Sequence, residues 1–156
     1  MIKNITIQSF KPGQEKEIYL LIKKVFDELI GIEYSAEGIT SFYDFIDPQN
    51  ILNRFLNKNI ILLAKDNGKI VGMLETRDFN HICLFFVNKK YHHQGIGKKL
   101  FLKMLSMVKS HTKFIDVNAS PYSEKIYAKL GFQKTSEQTV KNGIKFIPMK
   151  MTISSS

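Results

Sequence analysis

The sequence holds little that oxidation, export or membrane insertion could use. Its one cysteine, Cys83, cannot close an internal disulfide, and it sits in an apolar run where a buried thiol is expected. No apolar run reaches the roughly 18–20 residues that a membrane span needs. The opening MIKNITIQSF alternates and shows no signal-peptide h-region. These absences point to a reducing cytoplasm and to no membrane partner. No internal repeat or low-complexity stretch divides the 156 residues, apart from the closing serines. That length suffices for one core. The expectation is a single domain over residues 1–153 with a serine tail at 154–156.

One sign of charge is also missing over a long stretch. No lysine or arginine occurs from Val25 through Asn53, which holds Asp27, Glu28, Glu33, Glu37, Asp44 and Asp47. The chain as a whole is basic, with a formal net charge of +9. That excess favours anionic partners or serves solubility alone. A nucleic-acid-binding domain would need a basic face with exposed aromatics. Many of the lysines instead cluster around residues 89–99, so no nucleic-acid partner is expected.

What is present reads as alternating strands and helices. Residues 3–9 alternate as a first strand. Ile18, Leu21, Ile22, Val25, Phe26 and Leu29 carry the spacing of an amphipathic helix over 14–30. A second helical region runs from about Ser35 to Lys58, broken near Pro48. Two apolar runs around Asp66-Asn67-Gly68 predict a hairpin. HICLFFVN is apolar at nearly every position, which predicts a central strand covered on both faces. From Gly95 the period changes to that of a helix. KFIDVNA predicts a strand, and residues 122–130 a short helix ended by Gly131. FQKTSEQTV and IKFIPMKMTI around Lys141-Asn142-Gly143 close with a hairpin. The fold class is α/β with a mixed sheet, in the order β-α-α-β-β-β-α-β-α-β-β.

Residues 91–100, YHHQGIGKKL, lose their side chains just where a basic helix begins. The first turn of a helix leaves amides unpaired and carries partial positive charge. Glycine lets an oxyanion reach the main chain. Lys98 and Lys99 strengthen the field, so the expected guest is a diphosphate. Two other phosphate-binding patterns fail. GxxxxGK[ST] is absent, and GxGxxG lacks its third glycine. His92 and His93 are adjacent, and no matching acidic or cysteine cluster accompanies them, so no metal is expected.

VNKKYHHQGIGKKL resembles the acetyl-CoA-binding segment of the GNAT (GCN5-related) N-acetyltransferases, in which a strand ending in Val precedes Arg/Gln-x-x-Gly-x-Gly/Ala. Here Val87, His92, Gly95 and Gly97 take those positions. SPYSEKIYAKLGF is similar to a second signature of the family through Tyr127, Lys129, Gly131 and Phe132. His92 and His93 depart from the usual Arg or Gln and Gly, and Ser120 and Ser123 from Asn and Ala.

The resemblance implies the GNAT-like fold and transfer of an acetyl group from acetyl-CoA to a primary amine, with no metal. It implies a cofactor grip by His92, His93, Gln94, Gly95, Ile96, Gly97 and Lys98, supplemented by Asn118, Ser120 and Ser123. It also implies a backbone donor to the thioester oxygen at a strand bulge within Phe85, Phe86 and Val87. Tyr127 matches the acid position facing the leaving thiolate. His81 and Glu75 are rival candidates for the base, and water can take the proton instead. Cys83 is read as a small buried thiol and not as a covalent nucleophile, so direct transfer is expected.

In this family the acidic helical region walls the acceptor groove. Glu33, Tyr34 and Glu37 are therefore substrate-binding candidates for a small cationic amine, and a peptide or protein amine stays open. A non-catalytic acyl-CoA sensor would use the same cradle. Such domains often pair as homodimers through sheet edges or the C-terminal hairpin.

Overall fold

The stripe Ile18, Leu21, Ile22, Val25 and Phe26 forms the buried face of α1 (Glu15–Leu29) in the computed structural model, which describes residues 4–154. Lys3, expected in the first strand, and Ser155 and Ser156 of the tail lie outside the described residues. The second helical region is two helices, α2 (Ala36–Phe45) and α3 (Pro48–Leu56). The break has a local cause. Asp47 caps α3 by accepting from the Gln49 amide at 3.1 Å, and Pro48 occupies the first turn, where its missing N–H costs nothing. Ser35 caps α2 by accepting from the Gly38 amide at 3.1 Å.

Eight strands among the described residues form a mixed sheet. They are β1 (Ile5–Ser9), β2 (Ile60–Asp66), β3 (Lys69–Arg77), β4 (His81–Val87), β5 (Phe114–Ala119), β6 (Gln133–Lys134), β7 (Thr139–Lys141) and β8 (Ile144–Thr152). Their order is β1-β2-β3-β4-β5-β8-β6, with β7 paired to β8 beyond this path. The segment read as one last-but-one strand, FQKTSEQTV, is thus two short strands that both pair with β8. The β2–β3 and β7–β8 turns place Asn67-Gly68 and Asn142-Gly143 at positive φ, the two-residue geometry that Asn-Gly favours.

The remaining α-helices among the described residues are α4 (Ile96–Val108) and α5 (Glu124–Leu130). α1 and α3 cover one face of the sheet through Phe26, Ile51, Leu63, Met73, Leu84 and Phe86. α4 and α5 cover the other through Leu100, Phe101, Met104, Ile115, Val117 and Tyr127. No helix among the described residues is long and apolar enough to cross a membrane.

β4 departs from its sequence reading. Buried and half-buried residues alternate along it, so it is not covered evenly on both sides. The reason is its pairing. Antiparallel to β3 it pairs from end to end with one shift of register, but parallel to β5 it pairs only at His81↔Asp116 and Ile82↔Val117. Beyond those rungs the two strands part, and the second half of β4 faces a gap.

Candidate functional site

The gap opens just after a bulge. Glu75 pairs with Leu84 and Thr76 with Ile82, so Cys83 is the extra residue on β4. A bulge bends its strand and increases the local twist, which turns β4 away from β5. The resemblance had placed this irregularity within Phe85–Val87; it falls at Cys83, and Phe85–Val87 are in regular register with β3. Those residues still offer main-chain groups to the gap. The Asn88 amide donates to the Val71 carbonyl at 2.8 Å. In an antiparallel ladder, bonded and non-bonded pairs alternate. Counting back from Asn88, Phe86 is bonded to β3, whereas Phe85 and Val87 turn their N–H and C=O groups toward the gap. The His92 ring confirms the direction, donating from Nε2 to the Val87 carbonyl at 2.8 Å.

The gap continues into a cleft of about 480 Å³. Phe85, Phe86 and Val87 line its strand side, and His92, His93, Gly95, Ile96, Gly97 and Lys98 its turn. Ser123 and Tyr127 line the side of α5. The structure therefore brings together most of the expected cofactor-binding residues, which come from segments far apart in sequence. Gln94, Asn118 and Ser120 are not among the lining residues. The Gln94 side chain donates to the Lys90 carbonyl at 3.2 Å, and Ser120 caps the following turn by accepting from the Ser123 amide at 3.2 Å.

The turn has the form that an anion requires. Gly95, at φ +80°, precedes α4 without any side-chain cap. The first-turn amides of Ile96, Gly97 and Lys98 therefore have neither an i−4 carbonyl nor a capping oxygen. Gly95 is needed for its backbone conformation. Gly97 is different. It sits in helix, and a Cβ there would rest at ordinary distance, 3.6 Å from Phe85 Cζ and 3.9 Å from Val87 Cγ2. The fold does not require a bare residue at this position, but a Cβ would fill the cradle. Lys89, Lys90, Lys98 and Lys99 are exposed around it. Asn88 holds the approach by accepting from the Lys90 amide at 2.9 Å.

Tyr127 is 6% exposed, its ring 6.1 Å from that of Phe85 and 5.3 Å from that of Phe132. Its hydroxyl makes no hydrogen bond among the described residues, and burial pushes its pKa well above the ordinary phenol range. At neutral pH it is a proton donor and not an acceptor. Burial, followed by the neighbouring Glu75 carboxylate, pushes the Cys83 thiol up to about 12. This removes the thiolate that a nucleophile needs.

The two base candidates part company. Glu75 is fully buried and does not line the cleft. Arg54 Nε and Nη2 donate to its two oxygens at 2.7 and 3.1 Å, and Asn59 Nδ2 donates to Oε2 at 2.7 Å. His81 does not line the cleft either. Asp116 Oδ1 accepts from its Nδ1 at 2.7 Å, which leaves Nε2 as the basic nitrogen. Strand alternation puts His81 on the face opposite Ile82, the face that carries α1–α3.

The acidic stretch is divided in use. Asp27 is bound to Lys23 and the Tyr43 hydroxyl, and Asp47 is a cap. Glu33 follows the end of α1 in a short turn, and Glu37 is exposed on α2. Tyr34 packs edge-on against Phe26 with ring centroids 5.0 Å apart. None of the three lines the cleft, although Ile30, just before them, does. Sequence reading missed the apolar wall of Val25, Leu29 and Ile30, because the same spacing serves core and cleft alike. It also missed Tyr122 and Ile126 of the opposite wall. No group of side chains suited to a metal occurs among the described residues.

Residues 30–153 match the family model described as an acetyltransferase (GNAT) domain. A GCN5-related N-acetyltransferase from Rhodopseudomonas palustris superposes with a TM-score of 0.84 at 18% identity, covering 98% of this chain and 99% of that one. The PaiA N-acetyltransferase from Thermoplasma acidophilum, solved in complex with coenzyme A, superposes with a TM-score of 0.80 at 19% identity, covering 96% and 99%. A UPF0039 protein of Schizosaccharomyces pombe is 26% identical over 100 residues, which is 60% of this chain and 67% of that protein.

Proposed function

The chain belongs to the acetyltransferase (GNAT) family, and from that premise we propose that it transfers an acetyl group from acetyl-CoA directly to a primary amine, with a small cationic amine as acceptor. The observation that carries the reading is the parting of β4 from β5 beside an uncapped helix start whose Gly97 the fold could replace by alanine. The first fits an extended acyl-carrying arm along the free edge of β4. The second fits a diphosphate. The coenzyme A bound in the Thermoplasma acidophilum relative supports the same guest.

When bound, the thioester supplies an activated acyl carbon and a thiolate leaving group. The chain's residues do the rest. The amides of Ile96, Gly97 and Lys98 hold the diphosphate, with Lys98 and Lys99 adding positive field. Phe85 and Val87 offer outward main-chain groups to the arm, and an outward amide near the bulge stabilises developing charge on the acyl oxygen. Tyr127 keeps its proton and donates a hydrogen bond to the departing sulfur. Complete transfer is uphill, because a thiol ionises near 8.5, below even an ordinary phenol at about 10. His81, fixed by Asp116, is the proposed proton acceptor on the acceptor face; Glu75 is committed to Arg54 and Asn59. Glu33 and Glu37 supply negative charge toward a cationic amine.

An amine panel assayed with acetyl-CoA by free-thiol release, beside a calorimetric titration of coenzyme A, tests the reading. Binding below about 1 mM with transfer to at least one amine is expected. Binding with no transfer to any amine would leave a sensor, and no binding would remove both.

A further inference from the structure

Two imidazoles stand where the chain turns toward the proposed diphosphate. His92 and His93 both line the cleft, just before the uncapped start of α4. Their rings lie edge to face with centroids 6.3 Å apart. They are not equivalent. His93 is exposed, at φ +62°. His92 is half-buried and held. Its Nε2 donates at 2.8 Å to the Val87 carbonyl, on the edge of β4 that the gap leaves open. A carbonyl only accepts, so Nε2 carries a proton in either charge state. Nδ1 has no hydrogen-bond partner among the described residues, and it takes the second proton. The ring therefore changes charge without releasing the strand.

The surroundings leave that charge one natural partner. The other titratable side chains lining the cleft are Tyr91, His93, Lys98, Tyr122, Tyr127 and Lys129, and no carboxylate is among them. α1 contributes only Val25 and Leu29, with Ile30 after it, and β4 only Phe85, Phe86 and Val87. Lys89, Lys90 and Lys99 are exposed around the turn. The Asp66 carboxylate accepts from the Tyr91 hydroxyl at 2.6 Å. Protonation of His92 thus adds a cation to a cleft without a carboxylate, where an anionic guest can answer it.

We propose that His92 is a proton-linked grip on the cofactor: coenzyme binding takes up a proton at this ring, and the affinity rises as pH falls through the histidine range. The inference rests on the acetyl-transfer reading, because that reading puts the diphosphate at this turn. An imidazole ordinarily changes charge between about pH 5 and 8. A nearby opposite charge favours its charged form. The coupling is reciprocal, so a guest that favours the imidazolium binds the protonated protein more tightly. An arginine at this position would stay charged throughout, and a glutamine would never charge. The effect falls on the concentration of cofactor needed and not on the chemical step.

The calorimetric probe is 3′-dephospho-coenzyme A. The 3′-phosphate of coenzyme A itself titrates at about pH 6, whereas the diphosphate stays ionised. At about pH 7, in buffers of different ionisation enthalpy, uptake of roughly half a proton per bound ligand is expected. Affinity should rise about five- to tenfold from about pH 8 to about pH 5.5. His92→Gln keeps a donor for the Val87 carbonyl and should abolish both effects. His93→Asn, which suits a positive φ, should keep both. In the native protein, nuclear magnetic resonance should show the His92 ring titrating with a higher midpoint when coenzyme A is bound. Binding without proton uptake, or an unmoved midpoint, overturns this inference and leaves acetyl transfer intact. Uptake that survives in His92→Gln or disappears in His93→Asn does the same. Failure of coenzyme A itself to bind brings down the transfer reading, and this inference with it.

Discussion

The Arg54 guanidinium forks onto both oxygens of the fully buried Glu75 carboxylate, and its third nitrogen donates to the Phe45 carbonyl at the end of α2, 2.7 Å away. One side chain therefore ties α3 to β3 and to α2. Arg54→Ala leaves a buried carboxylate without its counter-ion, and a loss of about 3–5 kcal/mol in stability is expected from denaturant unfolding. Coenzyme A affinity should hold wherever the variant is folded, since the proposed cradle lies on the far side of the sheet. An unchanged unfolding midpoint would refute the structural role assigned to this pair.

Gly97 offers a substitution with opposite effects on stability and binding. Alanine fits against Phe85 and Val87, and replacing glycine within a helix stabilises by up to about 1 kcal/mol. Gly97→Ala should therefore raise the melting temperature slightly and weaken coenzyme A by roughly tenfold. Gly97→Val should weaken it further. Undiminished affinity in both variants would move the diphosphate away from this turn.

Tyr127→Phe removes the hydroxyl and keeps the ring packed on Phe85 and Phe132. Turnover should fall by about 10–100-fold, with coenzyme A binding unchanged. The raised pKa fixes the sign of the pH effect. The donor form persists through neutral and mildly alkaline pH, so ionisation of Tyr127 gives no alkaline loss of activity below about pH 10. An alkaline limb that disappears in the phenylalanine variant would contradict this.

His81→Gln keeps a donor to Asp116 and removes the basic nitrogen. If His81 takes the amine's proton, the acidic limb of the kcat/KM profile should vanish, and the loss of activity should be greatest above that limb, where the native ring is free to accept. A uniform drop with the native profile would assign His81 to structure alone.

Cys83 should resist alkylation in the folded protein and react after unfolding, since burial holds its thiol protonated up to about 12. An unfolded thiol ionises near 8.5. Below that value both states are protonated and the group gives no pH dependence. Between it and about 12 the folded state binds the extra proton, so stability falls as pH rises. Cys83→Ser should flatten that alkaline decline. Rapid labelling of native protein at neutral pH would place the thiol in a different environment.

Much of this protein could be read from local chemistry. The α1 stripe, the Pro48 break, both Asn-Gly turns and the glycine-bearing start of α4 are decided by residues within one or two turns of one another. Periodicity, capping and positive φ act at that range. The uncapped, glycine-bearing turn proposed to hold a diphosphate was legible for the same reason, since a single decapeptide contains it.

The rest depended on which distant segments meet. The apolar spelling of β4 could not show that β5 leaves it after two rungs, nor that Cys83 bulges and Phe85 and Val87 turn outward. Nothing near Glu75 announced Arg54, and nothing near Ser35 announced Gly143, whose carbonyl accepts from the Ser35 amide at 3.3 Å. A buried carboxylate must find a counter-ion and a bare main chain must find another, but sequence spacing does not say where. The amino-acid sequence determined the elements, their caps and the uncapped turn before α4, because those free energies are local. Only the tertiary structure decided the open gap and the fate of each carboxylate, because those follow from contacts between segments remote along the chain.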